Sequence, residues 1–502
     1  MRIPLDRLSA VPLYRQIEAH VRQGIVSGSL APDTRLPATR QLAQDLGVNR
    51  ITVDNAYAEL EADGLIFSRV GSGTYVLAPD PVMPLAPEGP DAPWPLWQQE
   101  VEARHEPAND ERLEEMMRAA DPPEAGERPS IAFTGGGGDP RLFPAKDFRK
   151  VIQTVLRRDG VAALEYGERS GYAPLRTTIA HVLASQGLQA RPENLLITTG
   201  SQQALALVVQ LILKPGDVIV VESPTYAGAL SLFSTLGYKS VGVPVDEHGL
   251  QVEKLEKLLQ QHHPKLIYTI PNFQNPTGAC LSGQRRRQLL ALADRYNVPI
   301  LEDDFVGDLR YEGRAQPALK ALDPGGRVIY VSSFSKMLMP GLRVGFLVAE
   351  GPVYDGLVRC KRVTDLATSN LIQRALEAYV TVGRYQAHLR RSCQIYRKRR
   401  DAMLQAINRY LPAGVHLDPP LGGLFVWLRL PDGLSAEKLQ PLAAEAGMTF
   451  IPGRSFFVDG AGGESCLRLN LALQPPELIE DGMKRLGKAI RRLERLPPAQ
   501  AG

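Results

Sequence analysis

The stretch 332-SSFSKMLMPGLRVGF-346 decides how the larger part of this 502-residue chain is interpreted. It overlaps the apolar run 327-RVIYVSS-333, which is typical of a buried strand, and it places Lys336 among small serines just after that strand. A lysine acts as a nucleophile when its surroundings keep the amine partly neutral. Ser333 and Arg343 are near enough to Lys336 in sequence to bind a phosphate beside it. Taken alone, such a serine-lysine segment is more often an ordinary loop than a site.

Two more patterns supply groups that a phosphate-bearing cofactor needs. The segment 300-ILEDDF-305 is typical of a strand that ends in three acids, whose mutual repulsion a bound cation would relieve. In 198-TTGSQQALALVVQLI-212, a strand leads through Gly200 and Ser201 into a helix whose free amides favour an anion. By itself, the first pattern also fits a solvated turn, and the second fits a turn without a ligand. Pyridoxal phosphate requires a lysine that holds it covalently, a carboxylate at its pyridine nitrogen and a cradle for its phosphate, and the three segments offer each of these groups in a plausible place.

Strand-like and helical segments alternate through the same region of the chain. This alternation predicts a mostly parallel sheet that is covered by helices on both faces. Shorter strands and two helices between residues 424 and 494 indicate a smaller C-terminal subdomain, placed at about residues 411–495. The apolar runs expected to form the main sheet are 195-LLIT-198, 217-DVIVVE-222, 266-LIYTI-270, 298-VPILE-302, 327-RVIYVSS-333 and 344-VGFLVA-349.

Charge and proline content divide the chain into three parts. Residues 1–78 contain eight Arg and eight Asp or Glu, and residues 79–130 contain four Arg and thirteen Asp or Glu, so the net charge of +3 leaves +12 on residues 131–502. Seven of the seventeen residues in 79-PDPVMPLAPEGPDAPWP-95 are proline, which excludes a helix interior or a central strand. We therefore predict a head (1–78), a Pro-rich acidic linker (79–130) with one helix around Leu96 to Ala119, and a body (131–502).

The composition also disfavours several classes of protein. The four cysteines are far apart, and no pair has the spacing of metal ligands, so we expect neither a metal site nor a disulfide framework. The chain has no run of 18 apolar residues, and charges stand where a signal peptide needs an apolar stretch. We therefore expect a cytoplasmic protein that contacts no membrane.

The head has the pattern of a helix-turn-helix followed by a β-hairpin. Apolar residues recur every fourth position from Leu13 to Ile25, a short second helix ends at Gly47, and Asn49 is a suitable N-cap for a third helix. The segment 65-LIFSRVGSGTYVL-77 is typical of two strands around a glycine-rich tip. The start of a recognition helix enters the major groove. The residues expected to contact DNA are Arg35, Arg40, Asn49, Arg50, Ile51, Thr52, Gly71 and Ser72.

A three-helix module that binds protein is the alternative on helix pattern alone. However, the run 36-LPATRQLAQDLGVNRITVDNAYAELEADGLI-66, followed by GSGTYV, resembles the GntR family of bacterial winged-helix regulators. The resemblance implies that double-stranded promoter DNA is the partner. It also implies that DNA-contacting positions fall at Arg40, Asn49, Arg50, Ile51 and Gly71.

The body resembles the aminotransferase fold of pyridoxal-phosphate enzymes over residues 131–495, in the order and flanks of its motifs GSQQ, SPTY, NFQNPTG, EDD, SFSK and CLRLNLA. The expected fold class is therefore multidomain. It combines an N-terminal winged helix-turn-helix (α+β) with an α/β aminotransferase fold (type I pyridoxal phosphate) that has a small C-terminal subdomain. The resemblance implies that the cofactor phosphate is bound by Ser201, Gln202, Ser333 and Arg343. It also implies that Tyr226 stacks on the ring, Asn275 binds the ring hydroxyl and Asp303 faces the ring nitrogen. By the same resemblance, Lys336 forms the covalent link, Arg468 holds a substrate carboxylate, and Tyr166 reaches the phosphate of a partner subunit in a homodimer.

One position departs from the aminotransferase pattern. Where that family usually has a tyrosine after the EDD motif, whose hydroxyl meets the ring oxygen, this chain has Phe305. The substitution removes one hydrogen bond to the cofactor. Cofactor binding should survive because the other anchors remain, whereas efficient transamination is put in doubt.

A GntR-type head joined by a long linker to an aminotransferase-like body resembles the MocR/GabR subfamily of bacterial regulators. The resemblance implies that the body senses a small amino compound, or pyridoxal phosphate itself, and that the head acts on promoter DNA. Two other functions stay open: a working aminotransferase that carries a DNA-binding head, and a protein-interaction adaptor. The identity of the effector, the target genes and the sign of regulation also stay open. The arginine runs 284-QRRRQ-288 and 396-YRKRR-400 are candidates for DNA-phosphate contacts on the basic body.

Overall fold

The computed structural model describes residues 3–7, 9, 11–69, 72–78, 96–104 and 130–496. The chain divides into two compact units, Met1–His105 and Glu106–Gly502. Of the predicted linker at residues 79–130, the described part contains α4 (Leu96–Arg104), where the predicted linker helix begins, and the remainder of that predicted helix lies outside the described residues. The predicted boundaries at residues 78 and 131 stay predictions.

The head consists of three helices and a hairpin, as the apolar pattern predicts. The helix-turn-helix geometry depends on a left-handed turn at Gly47 (φ 62°), which ends the second helix, and on the Asn49 side chain, which accepts a hydrogen bond from the amide of Ile51 and begins the third. The elements are α1 (Leu13–Val26), α2 (Thr39–Leu46), α3 (Arg50–Ala62), β1 (Ile66–Arg69) and β2 (Gly73–Val76). The residues packed in its core include Ile17, Val21, Leu42, Val53, Leu60, Ile66 and Val76.

The body is built on an eight-stranded sheet with the order β4-β11-β10-β9-β8-β5-β6-β7. Strands β10, β9, β8, β5 and β6 run parallel, and β11 and β7 are antiparallel to their neighbours, so the predicted mostly parallel sheet is confirmed. The strands are β4 (Leu195–Thr198), β5 (Val218–Ser223), β6 (Lys239–Asp246), β7 (Gly249–Leu250), β8 (Leu266–Thr269), β9 (Ile300–Asp303), β10 (Val328–Ser333) and β11 (Gly345–Val348).

Helices cover both faces of this sheet. Neighbouring residues of one strand, such as Ile219 and Val220 of β5, belong to two separate apolar clusters, one on each face. The helices of the body are α5 (Ala145–Asp159), α6 (Ala173–Ser185), α7 (Ser201–Ile212), α8 (Ala227–Thr235), α9 (Val252–His262), α10 (Gly283–Arg295), α11 (Leu319–Leu322), α12 (Gly351–Asp365), α13 (Asn370–Thr381), α14 (Arg384–Tyr410), α15 (Ala436–Glu445) and α16 (Pro476–Glu494).

The C-terminal part forms the smaller layer that the short strands predicted. Its three-stranded antiparallel sheet has the order β12-β15-β14. A further pair of short strands ties the beginning of the body to this layer, because Ile131 and Ala132 pair with Met448 and Thr449. The strands concerned are β3 (Ile131–Ala132), β12 (Phe425–Arg429), β13 (Met448–Thr449), β14 (Ile451–Pro452) and β15 (Cys466–Asn470).

Two features differ from the sequence-based expectation. Strand β6 was not predicted, because Gly242 and Pro244 interrupt its apolar pattern. The sheet tolerates a proline in β6 because this strand lies near the edge and has only one long neighbouring strand, β5. The second difference concerns the arginine runs proposed to contact DNA. Arg286 is completely buried and donates to backbone carbonyls and to Asn272, so this residue is wrong as a DNA contact, whereas Arg287 of the same run is exposed and stays a candidate.

The second arginine run is divided in the same way, because of its basic residues Arg397 and Lys398 are exposed and only Arg399 and Arg400 are buried. Arg399 is buried and pairs with Asp139 at 2.7 Å, and Arg400 is buried and pairs with Glu312 at 2.6 Å. Charges that are already buried and paired inside the body cannot neutralise DNA phosphates. Among the described helices, none is long and apolar enough to span a membrane.

The N-cap of α3 gives a test of the head. We expect Asn49→Ala to destabilise the head by about 1 kcal/mol, because the amide of Ile51 loses its side-chain acceptor. Hydrogen exchange of the α3 amides in the whole protein measures the loss, and Asn49→Asp, which keeps an acceptor oxygen, serves as the control. Unchanged exchange in Asn49→Ala would show that the cap does not stabilise the helix.

Candidate cofactor site and DNA-reading head

Lys336 lies in the loop after β10, beside a run of glycines at the beginning of the body. A Cβ atom added to Gly136 would lie 3.5 Å from its Nζ atom, so this backbone passes close to the amine without a side chain in between. Burial, together with the positive charges of Arg468 and Arg343, lowers the pKa of Lys336 to about 8. The amine is therefore more often neutral than an exposed lysine at the same pH.

The three acids at the end of β9 have different environments, and only one is open to a ligand. Both Glu302 oxygens accept hydrogen bonds from backbone amides, and Asp304 accepts hydrogen bonds from the side chains of Tyr330 and Asn272. Asp303 is buried, with Oδ2 accepting from the Tyr268 hydroxyl at 2.9 Å.

The other oxygen of Asp303, Oδ1, is buried without a partner among the described residues. Burial raises the pKa of this carboxyl to about 7, the Tyr268 hydrogen bond opposes the rise, and the negative charge of Asp304 adds to it. A buried acceptor without a donor is costly. The N–H of a protonated pyridine ring would supply the donor and the positive charge that this oxygen lacks.

The turn before α7 has the shape of an anion site. Gly200 (φ 90°) precedes Ser201, the first residue of the helix, and Arg343 donates to the Thr199 carbonyl at 3.1 Å. A Cβ atom at Gly345 would lie 2.7 Å from the carbonyl carbon of Gly200, so this close approach of two backbones requires glycine. Free helix amides and a guanidinium thus meet at one point, as phosphate binding requires.

Other predicted phosphate ligands have partners of their own within the chain. The Ser333 hydroxyl accepts from the Ser335 amide at 3.0 Å, and the Gln202 side chain donates to the Gly228 carbonyl at 3.1 Å. Tyr226 directly precedes α8, and burial together with the nearby Asp303 carboxylate raises the pKa of its hydroxyl.

Arg468 on β15 is a buried cation without an acidic partner among the described residues. Its Nη1 donates to Asn275 Oδ1 at 2.9 Å, its Nε has no partner among those residues, and its guanidinium lies 4.2 Å from the centroid of the Phe425 ring. Burial lowers its pKa to about 9. A buried guanidinium that no acid neutralises is suited to a carboxylate on a ligand.

The glycine run 134-TGGGGD-139 was not among the residues predicted for the site. Asn470 donates to the carbonyls of Gly135 and Gly137 at 2.6 and 2.8 Å, and Arg468 donates to the Thr134 carbonyl at 3.1 Å. These bonds hold the run against Lys336 and β15. Four consecutive glycines, which neither a helix nor a strand favours, were the signal that could have found it.

Tyr166 and Phe305 are the two remaining positions singled out in the sequence. Tyr166 is 85% exposed. Phe305 is buried and stacks on Phe425, with 6.4 Å between the ring centroids, so it provides packing and no hydroxyl.

In the head, most of the predicted DNA-contacting residues are exposed. Thr52 is half-buried, and Gly71 lies outside the described residues. The oxygen of the Asn49 side chain is occupied by the cap, which leaves its amide group as a donor, and Arg50 lies 3.4 Å from Asp54 on the same helix. The exposed candidates are Arg35, Arg40, Asn49, Arg50, Ile51 and Ser72.

Comparison with known proteins assigns both units. The sequence model of "Bacterial regulatory proteins, gntR family" matches residues 13–76, and that of "Aminotransferase class I and II" matches residues 136–486. The HTH-type transcriptional regulator TauR of Rhodobacter capsulatus is 34% identical, over 98% of this chain and 100% of its own. The probable rhizopine catabolism regulatory protein MocR of Rhizobium meliloti is 32% identical, over 98% and 96%.

The chain belongs to the MocR-type regulators. Its body is also similar to solved aminotransferases, among them LysN, the α-aminoadipate aminotransferase of Thermus thermophilus, which was crystallised with N-(5'-phosphopyridoxyl)-L-leucine. That structure is 37% identical with a TM-score of 0.72, and the match covers 79% of this chain and 100% of LysN. The predicted fold class, the DNA-binding regulator function and the cofactor pyridoxal phosphate are thereby confirmed.

In this MocR-type regulator the buried groups fit the cofactor. When bound, pyridoxal phosphate supplies an aldehyde and an electron-withdrawing ring. Asp303 would hold the proton on the ring nitrogen, and the Gly200–Ser201 turn with Arg343 would bind the phosphate. The Lys336 amine, once neutral, would be the nucleophile, and Arg468 would orient a ligand carboxylate toward it.

The lowered pKa of Lys336 predicts how cofactor capture by the MocR-type apoprotein depends on pH. Because only the neutral amine attacks an aldehyde, the rate should rise with pH and level off above about 8. If the lysine had its ordinary pKa, the rate of cofactor capture would keep rising toward about pH 10. Stopped-flow absorbance after cofactor addition measures the profile, and Arg468→Met should move the plateau to higher pH. A wild-type rate that still climbs above about pH 9 contradicts the lowered pKa.

Proposed function

We propose that this regulator binds promoter DNA through the exposed start of α3 and changes its DNA affinity when an amino compound carrying a carboxylate reaches Lys336. The observation that carries the effector class is the buried Arg468, which has no acidic partner among the described residues and whose charge acts on Lys336. An amine for the aldehyde and a carboxylate for the guanidinium are together the groups of an amino acid. Pyridoxal phosphate itself is the second candidate effector.

The proposed DNA contacts follow from exposure and chemistry. Arg50 and Asn49 lie at the end of the helix that enters a major groove, where an arginine side chain pairs with guanine. Arg35, Arg40 and Ser72 are exposed and suited to phosphates. A promoter-binding function also implies a cytoplasmic location.

A ligand at Lys336 can alter DNA binding only if it has different affinities for two arrangements of the molecule. An effector that changes DNA affinity tenfold supplies about 1.4 kcal/mol of coupling free energy. Reciprocally, the same promoter DNA must change the affinity for the effector by the same factor.

A working aminotransferase is the second candidate function. The lysine, the open Asp303 carboxylate and the two arginines Arg343 and Arg468 favour it, and Phe305, which lacks the ring-oxygen contact, weighs against it. Steady conversion of an amino acid and a keto acid would support the enzyme. A single spectral change per subunit without turnover supports the sensor.

We also propose that the protein is a homodimer with shared cofactor sites. Tyr166 is exposed together with the neighbouring Val161 and Leu164, an apolar group that a second copy would cover. The loop that carries Tyr166 is held in place by Asn370, which donates to the carbonyls of Ala162 and Glu165.

The regulator function is tested by footprinting the region upstream of the protein's own gene. Wild type should protect a site whose protection changes when pyridoxal phosphate and candidate amino acids are added. Arg50→Ala should weaken binding by about 1–3 kcal/mol. The exposed Arg314→Ala in the body is the matched control. Protection that does not respond to cofactor or amino acid, or that Arg50→Ala leaves unchanged, contradicts the proposal.

Shared sites predict complementation between two defective variants. Lys336→Ala and Tyr166→Ala homodimers should each bind the cofactor poorly. In a mixed dimer, one site has Lys336 from one subunit and Tyr166 from the other, so tight binding should return to half of the sites. Absorbance titration of the purified mixed dimer measures this recovery. No recovery would mean that Tyr166 acts within its own subunit or not at all.

A further inference from the structure

A fully buried lysine lies on the last turns of α12, and no motif drew attention to it. The Nζ atom of Lys361 is 2.6 and 2.8 Å from the two carboxylate oxygens of Asp365, one helical turn further on. Burial lowers the pKa of Lys361, and the Asp365 hydrogen bond opposes that shift. Removing one partner from such a buried pair leaves an uncompensated charge.

This pair is bonded to the turn that precedes α7. Asp365 Oδ2 accepts from the Gln203 side chain at 2.8 Å and from the Thr199 hydroxyl at 3.2 Å. The Gln203 side-chain oxygen in turn accepts from the Thr199 amide at 2.7 Å. Because Arg343 donates to the Thr199 carbonyl, the turn is held from two sides.

The arrangement has an electrostatic consequence. The Asp365 carboxylate is bonded to the residue directly before Gly200, and a phosphate at that turn would be repelled by it. Lys361 contacts both carboxylate oxygens and cancels that charge. The pair therefore gives the turn hydrogen-bond acceptors without giving it a net negative charge.

We propose that Lys361 and Asp365 are positioning residues that set both the conformation and the local charge of the turn that receives the cofactor phosphate. The proposal rests on the proposed placement of the phosphate at Gly200 and Ser201. It concerns the phosphate alone, so it predicts effects on pyridoxal phosphate that are absent for pyridoxal, which has the same aldehyde and ring and lacks the phosphate.

The two members of the pair should have opposite effects. Lys361→Met leaves the Asp365 charge facing the phosphate, so affinity for pyridoxal phosphate should fall at least about tenfold while affinity for pyridoxal changes less than about twofold. Asp365→Asn keeps an acceptor for Thr199 and removes the negative charge, so the preference for the phosphorylated form should stay at or above the wild-type value. The double variant should recover most of the preference that Lys361→Met loses.

Equilibrium titration of the whole purified protein, followed by absorbance and tryptophan fluorescence, gives both dissociation constants. Lys320→Met is the matched control, since Lys320 is another buried lysine of the body, 3.7 Å from Glu350. Lys361→Arg should keep the wild-type preference because it keeps the charge. If Lys361→Met does not fold, Lys361→Gln removes the charge and keeps a donor to Asp365.

The outcomes separate this proposal from the proposed function. If wild type shows no preference for pyridoxal phosphate over pyridoxal, the proposed placement of the phosphate at Gly200 and Ser201 is wrong. The positioning role of Lys361 and Asp365 is then wrong as well. If wild type shows the preference, three results overturn the positioning role alone: no change in Lys361→Met, an equal loss for both compounds, or a lowered preference in Asp365→Asn.

Discussion

The carboxylate oxygen Oδ1 of Asp303 is buried without a partner among the described residues, and the interpretation of the body depends on this atom. Leaving such an acceptor unsatisfied costs on the order of 1–3 kcal/mol. The neighbouring acids Glu302 and Asp304 show that the protein can satisfy a carboxylate at this edge of the sheet, because both are fully bonded. The open oxygen at Asp303 is therefore able to accept from a ligand donor, and the protonated ring of pyridoxal phosphate would supply one.

A second group with an unpaired atom defines what else the site can hold. Arg468 is buried against Phe425, and no described acid neutralises it. Buried charged groups that keep an unpaired atom, together with a lysine of lowered pKa, are typical of a ligand site rather than of contacts that only stabilise the fold. The proposed function depends on these groups, and Phe305, which supplies no hydroxyl, weighs against efficient transamination.

The sequence predicted those features that local pattern determines. The strands of the main sheet appear as apolar runs because they are buried on both faces. The helix boundaries of the head could be predicted because Gly47 ends one helix and Asn49 begins the next through their own backbone and side-chain chemistry. The features it could not predict depend on distant partners. Residues far away in sequence decide both features. Tyr268 bonds to one oxygen of Asp303 and leaves the other open, and Asp139 pairs with the buried Arg399.

The covalent attachment of the cofactor at one lysine is the central claim, and chemical trapping tests it directly. The protein is loaded with pyridoxal phosphate, reduced with borohydride to make the attachment permanent, digested and analysed by mass spectrometry. The phosphopyridoxyl mass should be carried by the peptide containing Lys336 and should disappear in Lys336→Ala. A label on another lysine, or no label on protein that has taken up the cofactor, would contradict it.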